Sequence, residues 1–192
     1  SSEQIASFGD WVEQLIAEST GKDGKGILPV VGEPILAAAD YGDDRLFVYL
    51  RLPEDDSMDT AVANLEAAAQ PIIRFELADL YDLGGQFFIW ELATAVAGHI
   101  LGIQPFDQPN VESAKVLARK MVATYQETGK LPQLASAEPT AAPPQAFVAQ
   151  AKPGDYISIH AYVPPTPETD GLLQALRTQL LQQTNCATTV GY

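Results

Sequence analysis

Short apolar runs alternate with helical patterns along this chain, and this alternation constrains the fold more than any motif does. Five runs of strand type, each set off by turn residues or polar segments, lie at residues 27–31, 46–50, 72–77, 156–163 and 187–190. Strands that alternate with helices are typical of a mainly parallel sheet covered by helices on both faces. The sequence therefore predicts an α/β fold: a three-layer α/β/α sandwich around a mainly parallel, roughly five-stranded sheet.

Helical spacing of apolar residues fills the intervals between these runs. The predicted helices begin near residues 5, 58, 86, 111, 146 and 166, and the first ends at Gly21. The helix over residues 86–102 is apolar on nearly all sides, which predicts a buried central helix. Residues 131–145 are rich in proline and alanine and predict a surface loop. We interpret residues 1–192 as a single domain.

Composition excludes two classes of partner. The chain has 192 residues, 46% of them hydrophobic, and a formal net charge of -14. That content is enough for a core, while the charge would repel anionic nucleic acids and membrane surfaces. A small phosphorylated ligand remains compatible, because it needs only one local pocket of cations or amides. No segment of the sequence is long and apolar enough to span a bilayer.

Cysteine usage and the chain ends give two further expectations. Cys186 is the only cysteine, so no internal disulfide can form, which favours a reducing compartment and a cytoplasmic location. The apolar and threonine residues around it predict a buried strand residue. The chain opens on Ser1-Ser2 without a methionine and stops at Tyr192, inside an apparent strand. We interpret it as part of a longer protein.

The sequence lacks the common motifs for metal, nucleotide or nucleophilic chemistry. It has no CxxC or HxxxH spacing, no Walker or GxGxxG loop and no Gly-x-Ser-x-Gly elbow. Gly84-Gly85 before a helix is more typical of a packing turn than of a phosphate cradle. His99 is predicted to be a core histidine, and His160, in a strand, is ambiguous. The sequence thus predicts neither a metal nor a cofactor.

Two charged residues remain as candidates for chemistry. Glu18 ends the first helix, where the helix dipole slightly disfavours a carboxylate, and a plain surface carboxylate is the alternative. Lys115 lies just inside the helix that follows a turn at residues 104–107. The alternative there is a solvated ion pair between Glu112 and Lys115. Spacing alone favours this ion pair over a functional lysine.

Two segments resemble the motifs of phosphoglucose isomerases. Residues 18–22 (Glu-Ser-Thr-Gly-Lys) resemble their Glu-Ser-x-Gly-Lys motif. Residues 106–115 (Phe-Asp-Gln-Pro-Asn-Val-Glu-Ser-Ala-Lys) resemble their second motif, aromatic-Asp-Gln-x-Gly-Val-Glu-x-x-Lys. The sequence at residues 11–18 and 83–91, together with the end of the chain, is similar to bacterial fusions of a transaldolase with a phosphoglucose isomerase. The resemblance covers nearly the whole chain.

The resemblance implies a sugar-isomerase (SIS) domain that interconverts glucose 6-phosphate and fructose 6-phosphate without a metal or cofactor. Glu18 would be the base that moves a proton between carbons 2 and 1 through a cis-enediol, a role open to a carboxylate within reach. Lys115 would assist ring opening and stabilise developing negative charge. The matching motif positions also assign substrate binding to Ser19, Gly21, Lys22 and Gln108.

The chain departs from the family pattern at three points. Asn110 replaces a glycine, and asparagine tolerates positive φ better than most residues. Phe87 follows Gly85-Gln86, where many members have a histidine that reaches the neighbouring subunit's site. The family's first SIS domain, with its Ser/Thr-rich phosphate loop and Gly-Gly-Arg motif, has no counterpart here. The resemblance therefore implies a second, C-terminal SIS domain that is inactive in isolation.

These inferences predict the partners of the chain. The expected ligand is a hexose 6-phosphate, and the expected protein partners are an N-terminal SIS domain, a transaldolase domain and a second copy in a homodimer. A function of another class stays open, namely a non-catalytic SIS module that binds a sugar phosphate for regulation or assembly. Glu18 and Lys115 weigh against this module because binding alone needs no base, whereas Phe87 weighs slightly in its favour.

Overall fold

A computed structural model describes residues 1–107, 109–132 and 144–192. It is a mixed helix and strand protein, in agreement with the predicted α/β class. The helices are α1 (Ala6–Thr20), α2 (Asp59–Ala67), α3 (Leu83–Leu101), α4 (Pro109–Thr128), α5 (Pro144–Val148) and α6 (Pro167–Thr184). The strands are β1 (Phe47–Arg51), β2 (Ile72–Glu76), β3 (Tyr156–His160) and β4 (Ala187–Gly191). The greater part of the predicted loop at 131–145 lies outside the described residues.

The strands pair in two separate two-stranded parallel sheets. β1 pairs with β2 in a register that begins at Phe47↔Ile72, and β3 pairs with β4 in a register that begins at Tyr156↔Ala187. Each pair is joined through one helix, α2 or α6, which gives the βαβ unit that parallel pairing requires. Parallel pairing is confirmed, whereas the described residues do not form a single five-stranded sheet.

The first predicted strand, residues 27–31, is not a strand. Its backbone groups bond to side chains instead. The Ile27 N–H donates to Thr20 Oγ1 over 3.0 Å, and the Val31 carbonyl accepts from Arg177 Nη2 over 3.1 Å. The proline at the centre of the run has no N–H to offer a ladder. The prediction of a strand is wrong because side chains, and not a neighbouring strand, bond to the backbone of this run, and because its proline lacks the N–H that a strand ladder requires.

The main core lies between α1 and the end of the β1–β2 sheet. Its buried side chains are Ile5, Phe8, Val12, Leu50, Leu52 and Leu77. The residues from the N-terminal part of the chain recur at helical spacing, so one face of α1 is covered. A second cluster joins Tyr41 and Leu65 to Leu181, which has no exposed surface. That cluster packs α2 and α6 together.

The predicted burial of α3 is wrong. The residues that α3 buries are Gln86, Thr94 and Gly98. Four apolar side chains spaced four residues apart are exposed by 50–77%: Phe88, Leu92, Val96 and Ile100. We call these four residues the outer stripe of α3. The helix is apolar on nearly every side, as predicted, but no described part of the chain covers this stripe.

A buried arginine connects β4 to the rest of the fold. Arg177 of α6 has no exposed surface, and its Nη2 donates to the carbonyls of Val31 and Thr188 over 3.1 and 2.7 Å. Glu33 Oε1 accepts from the N–H and hydroxyl of Thr188 over 3.0 and 2.6 Å. Burial lowers the pKa of the Arg177 guanidinium, and the nearby Glu33 opposes that effect. Cys186, one residue before β4, is buried as predicted.

Candidate active site

The first motif closes helix α1. Glu18 and Ser19 lie in its last turn, and Gly21 follows as the C-terminal cap, with its N–H donating to the Ala17 carbonyl over 3.0 Å. Thr20 has no exposed surface, and its hydroxyl donates to the Ile16 carbonyl over 2.8 Å. The apolar spacing of α1 turns Thr20 inward, which leaves the two preceding polar residues at the rim of the helix end.

Glu18 and Ser19 line one cavity of about 240 Å³ together with Trp11, Gln14 and Leu15. Glu18 is half-buried, and its Oε2 accepts a long hydrogen bond of 3.5 Å from Gln14 Nε2. A carboxylate that lines a cavity can take a proton from a bound molecule. The amide of Gln14 can orient that carboxylate or meet a polar ligand.

A tight hairpin follows the end of α1. Lys22 and Lys25 form an antiparallel bridge, with backbone N–H···O distances of 3.2 and 2.9 Å. Asp23 and Gly24 between them have φ of 54° and 70°. Positive φ at both central residues is the requirement of a type I′ turn, and Asp-Gly is a favoured pair for it. The hairpin turns both lysine side chains toward the end of α3 and the loop that follows it.

Lys22 connects the first motif to the second. Its side chain is 7% exposed, and its Nζ donates to the carbonyls of Gln104 over 2.8 Å and Pro105 over 3.0 Å, and also to that of Asp107. Lys25 Nζ donates to a single carbonyl, that of Leu101, over 2.6 Å. The first motif is therefore in direct contact with the loop that leads into the second motif, and with Asp107 at its start.

The second motif lies on the loop after α3 and on the first turns of α4. Lys115 is exposed on α4, and its side chain has no hydrogen bond or ion pair with any of the described residues. Glu112 pairs with Arg119 rather than with Lys115, so the solvated Glu112/Lys115 pair considered from the sequence is not formed. Lys115 does not line the cavity of Glu18. Gln108 lies outside the described residues.

The other face of α1 lines a second cavity of about 290 Å³ against β3 and β4. Glu13, Ser158 and His160 are among its lining residues, and burial, with a smaller contribution from Asp10, raises the pKa of Glu13. His160 is exposed and lies 3.1 Å from the Ser158 hydroxyl. His99 is exposed as well, so its predicted place in the core is wrong, because it lies on the uncovered side of α3.

Sequence reasoning missed two features of the site. Gln14 lies one turn before Glu18 on the same helix face, and the i,i+4 spacing could have indicated it. The contact of Lys22 with residues 104–107 joins positions more than eighty residues apart. The spacing of residues along the sequence cannot predict such a contact. Among the described residues there is no group of three or more His, Cys, Asp or Glu side chains able to hold a metal, and none of their helices could cross a membrane.

Comparison with known proteins gives relatives named glucose-6-phosphate isomerase. No family model matches the chain. It is 29% identical over 167 residues to the glucose-6-phosphate isomerase of Enterococcus faecalis. The aligned region covers 64% of this chain and 35% of that protein. It is 31% identical over 158 residues to the probable glucose-6-phosphate isomerase of Natronomonas pharaonis, with 62% of this chain and 36% of that protein covered.

A third relative, the glucose-6-phosphate isomerase of Heliobacterium modesticaldum, is 30% identical over 163 residues, with 65% of this chain and 36% of that protein covered. The chain thus spans about a third of the length of these relatives. Their shared name and the two motif segments point the same way. The similarity supports the phosphoglucose isomerase family for this chain.

Proposed function

We propose that this chain is the C-terminal SIS domain of a glucose-6-phosphate isomerase of the type fused to a transaldolase, acting in the cytoplasm. The observation that supports it most is the contact of Lys22, in the first motif, with the loop that leads into the second motif and with Asp107 at its start. A base from one motif and a lysine from the other can serve one substrate only if their segments are neighbours. The relatives of this name supply independent support.

In the proposed reaction, Glu18 removes the proton from carbon 2 of the open-chain glucose 6-phosphate while oxygen 1 gains a proton. The product of this step is a cis-enediol. Glu18 then returns the proton to carbon 1 while oxygen 2 loses one, which yields fructose 6-phosphate and regenerates the carboxylate. The half-buried position of Glu18 beside the 240 Å³ cavity supports its role as general base.

Lys115 is the proposed aid to ring opening and to stabilisation of charge on oxygen. Its ammonium is exposed and has no partner among the described residues, so it is not committed to another ion pair there. A cation aimed at a developing negative charge lowers the barrier most where water is excluded. Such exclusion requires further protein around Lys115, in line with an isolated domain that is inactive. Ser19, Gly21 and Gln108 remain proposed substrate contacts.

The outer stripe of α3 supports the proposed protein partners. An exposed apolar row of this kind is costly in water and marks an interaction surface. We infer that the N-terminal SIS domain and the second subunit of a homodimer together cover it in the longer protein. Light scattering of the longer protein should give twice the mass of one chain, and a monomer that remains active would refute the dimer.

Substitution of the base tests the function in the longer protein. Glu18→Gln keeps the size of the side chain and removes the base, so kcat should fall about 100- to 10,000-fold, the usual worth of general base catalysis. Glu13→Gln makes the same change on the same helix but at the other cavity, and should retain activity. Conversion of glucose 6-phosphate to fructose 6-phosphate in a coupled assay is the measurement. Near-normal activity of Glu18→Gln would exclude Glu18 as the base.

A non-catalytic SIS module is the second candidate, and Phe87 is the observation that favours it. The Phe87 ring packs edge-on against Phe8 and Trp11, with centroids 5.0 and 4.5 Å apart. The position thus serves packing between α1 and α3. In heavy water, an isomerase exchanges the carbon 2 proton of its substrate for deuterium. Binding of the sugar phosphate by the longer protein without this exchange would favour the module.

A further inference from the structure

Lys22 is buried, whereas every other lysine that the structure describes is exposed. Removing an ammonium from water is costly unless polar groups replace its hydration. The replacements here are three backbone carbonyls, those of Gln104, Pro105 and Asp107. No carboxylate pairs with Lys22 among the described residues. The site is therefore built from the backbone of a single loop.

The three carbonyls use the full capacity of the lysine. An ammonium has three N–H donors and no acceptor, and three carbonyls accept from Lys22 Nζ, so their number matches that capacity. Hydrogen bonds from a charged donor are stronger than neutral ones. A substrate phosphate would have to displace at least one carbonyl to reach Lys22 Nζ. This arrangement is more typical of a structural lysine, which stabilises the fold, than of a lysine that binds a ligand.

The loop that Lys22 holds leads directly into α4. A second contact also holds this loop, because Pro105 packs closely against Gly98 of α3. A Cβ at Gly98 would lie 2.7 Å from two ring carbons of Pro105, too close for any larger residue without a shift. Because α4 begins at Pro109, two residues after Asp107, these two contacts hold the chain close to the start of the helix that carries Lys115.

We propose that Lys22 is a positioning residue, which locks the loop of residues 104–107 onto the end of α1 and so sets Lys115 relative to Glu18. This replaces its motif-based assignment as a substrate ligand. The catalytic consequence rests on the function proposed above, whereas the lock itself does not. Lys25, in the same hairpin, is exposed and contacts one carbonyl at the end of α3, so it provides a matched comparison.

Lysine acetylation tests the lock without any substitution. The chain is treated briefly with an amine-reactive acetylating reagent, and the modified fraction of each lysine is read by peptide mass spectrometry. Lys22 should react at least about tenfold more slowly than Lys25, as expected when its reaction requires the loss of charge-assisted hydrogen bonds. Equal reactivity of Lys22 and Lys25 would overturn the proposal.

A matched pair of variants tests what the lock does. Lys22→Met keeps the length of the side chain and removes all three donors, while Lys25→Met makes the same change next to it. Hydrogen exchange of the backbone amides at residues 104–112 should accelerate in Lys22→Met and stay unchanged in Lys25→Met. Equal exchange in both variants would overturn the lock. Because this readout needs no enzyme activity, it stands even if the proposed isomerase function fails.

In the longer protein the same pair separates positioning from binding. A misplacement of about 1 Å can cost about 100-fold in rate, so Lys22→Met should lose kcat on that scale with little change in KM. Lys25→Met should match the unsubstituted protein. A rise in KM with kcat preserved would instead assign Lys22 to the substrate and overturn the proposal. Absence of isomerase activity in the unsubstituted protein would refute the proposed function and leave the exchange result to decide the lock.

Discussion

Helices α1 and α3 pack against each other, yet they bury opposite kinds of residues. α1 turns Phe8 and Val12 inward, as an amphipathic helix on a core does. α3 turns Gln86 and Thr94 inward and leaves its outer stripe in water. The hydrophobic effect disfavours the second arrangement unless another surface covers the stripe.

The difference shows where each helix finds its stabilisation. α1 packs on the β1–β2 sheet as well as on α3, whereas α3 is incompletely satisfied on its inner side too. Gln86 Oε1, Trp90 Nε1 and Thr94 Oγ1 are buried without a hydrogen-bond partner in the described part of the chain. Each such atom costs about 1–3 kcal/mol. Within the described part of the chain, α3 is therefore less well satisfied than α1.

Truncation of a core ring gives the largest expected effect. Phe8 is 5% exposed and packs against Trp11 and Phe87, so Phe8→Ala should lower the free energy of unfolding by about 3–5 kcal/mol. Phe88→Ala, on the outer stripe, should change it by no more than about 0.5 kcal/mol. Urea unfolding measures both. Equal losses of unfolding free energy in the two variants would contradict the inference that α1 buries its apolar face while α3 exposes its outer stripe.

Removal of an unpaired hydroxyl should stabilise the chain. Thr94 is 3% exposed, and its replacement by valine keeps the shape while removing the unsatisfied oxygen, so Thr94→Val should raise the free energy of unfolding by about 1 kcal/mol. Thr178→Val on α6 is the control, because its hydroxyl donates to the Gln174 carbonyl over 3.0 Å. Thermal unfolding compares the two. A lower Tm for Thr94→Val would mean that its hydroxyl has a partner after all.

Acid should loosen the contact between Asp55 and Glu3, which anchors the segment just before α1. Asp55 accepts hydrogen bonds from Ser57 and from the Glu3 N–H, and these lower its pKa to about 2. Because the folded pKa lies below the usual 3.8, the anchor contributes stability above that value and loses it as pH falls toward 2. Asp55→Asn should thus be less stable than the unsubstituted chain at pH 6, and the gap should close near pH 2. A gap independent of pH would contradict this account.

Polar substitution of the outer stripe should have the smallest effect on folding. Leu92→Gln and Ile100→Gln exchange exposed apolar side chains for a good helix former, so each should change the free energy of unfolding by about 0.5 kcal/mol or less. Self-association of the chain, measured by sedimentation, should decrease. Unchanged association together with a large loss of stability would show that the stripe is covered within the chain.

Local signals predicted the elements that a few neighbouring residues decide. Thr166 caps α6 by accepting from the Thr169 N–H, and Pro167 is the first helical residue, as the sequence indicates. Gly21 ends α1 where its position predicts. The two parallel strand pairs also follow from the alternation of apolar runs with helices. Each of these features needs only short-range information.

Features that depend on distant residues were not predictable in this way. The exposure of α3 depends on which elements the fold places beside it, and an all-round apolar pattern cannot report that. In place of the strand expected at residues 27–31, the Ile27 N–H donates to Thr20 and the Val31 carbonyl accepts from Arg177, which is 146 residues away from Val31. At the candidate site, the family resemblance indicated Glu18. The contact of Lys22 with a loop far along the chain became visible only in the three-dimensional structure.

The two βαβ units have a consequence for how the chain folds. Strands β1 and β2, and likewise β3 and β4, are consecutive in sequence, so each pair closes a short stretch at modest entropic cost. The contacts of Arg177 with Val31 and of Lys22 with the loop after α3 span much longer separations. Pulse-labelled hydrogen exchange during refolding should therefore protect the two strand pairs first. The geometry around Glu18 should be among the last features to form.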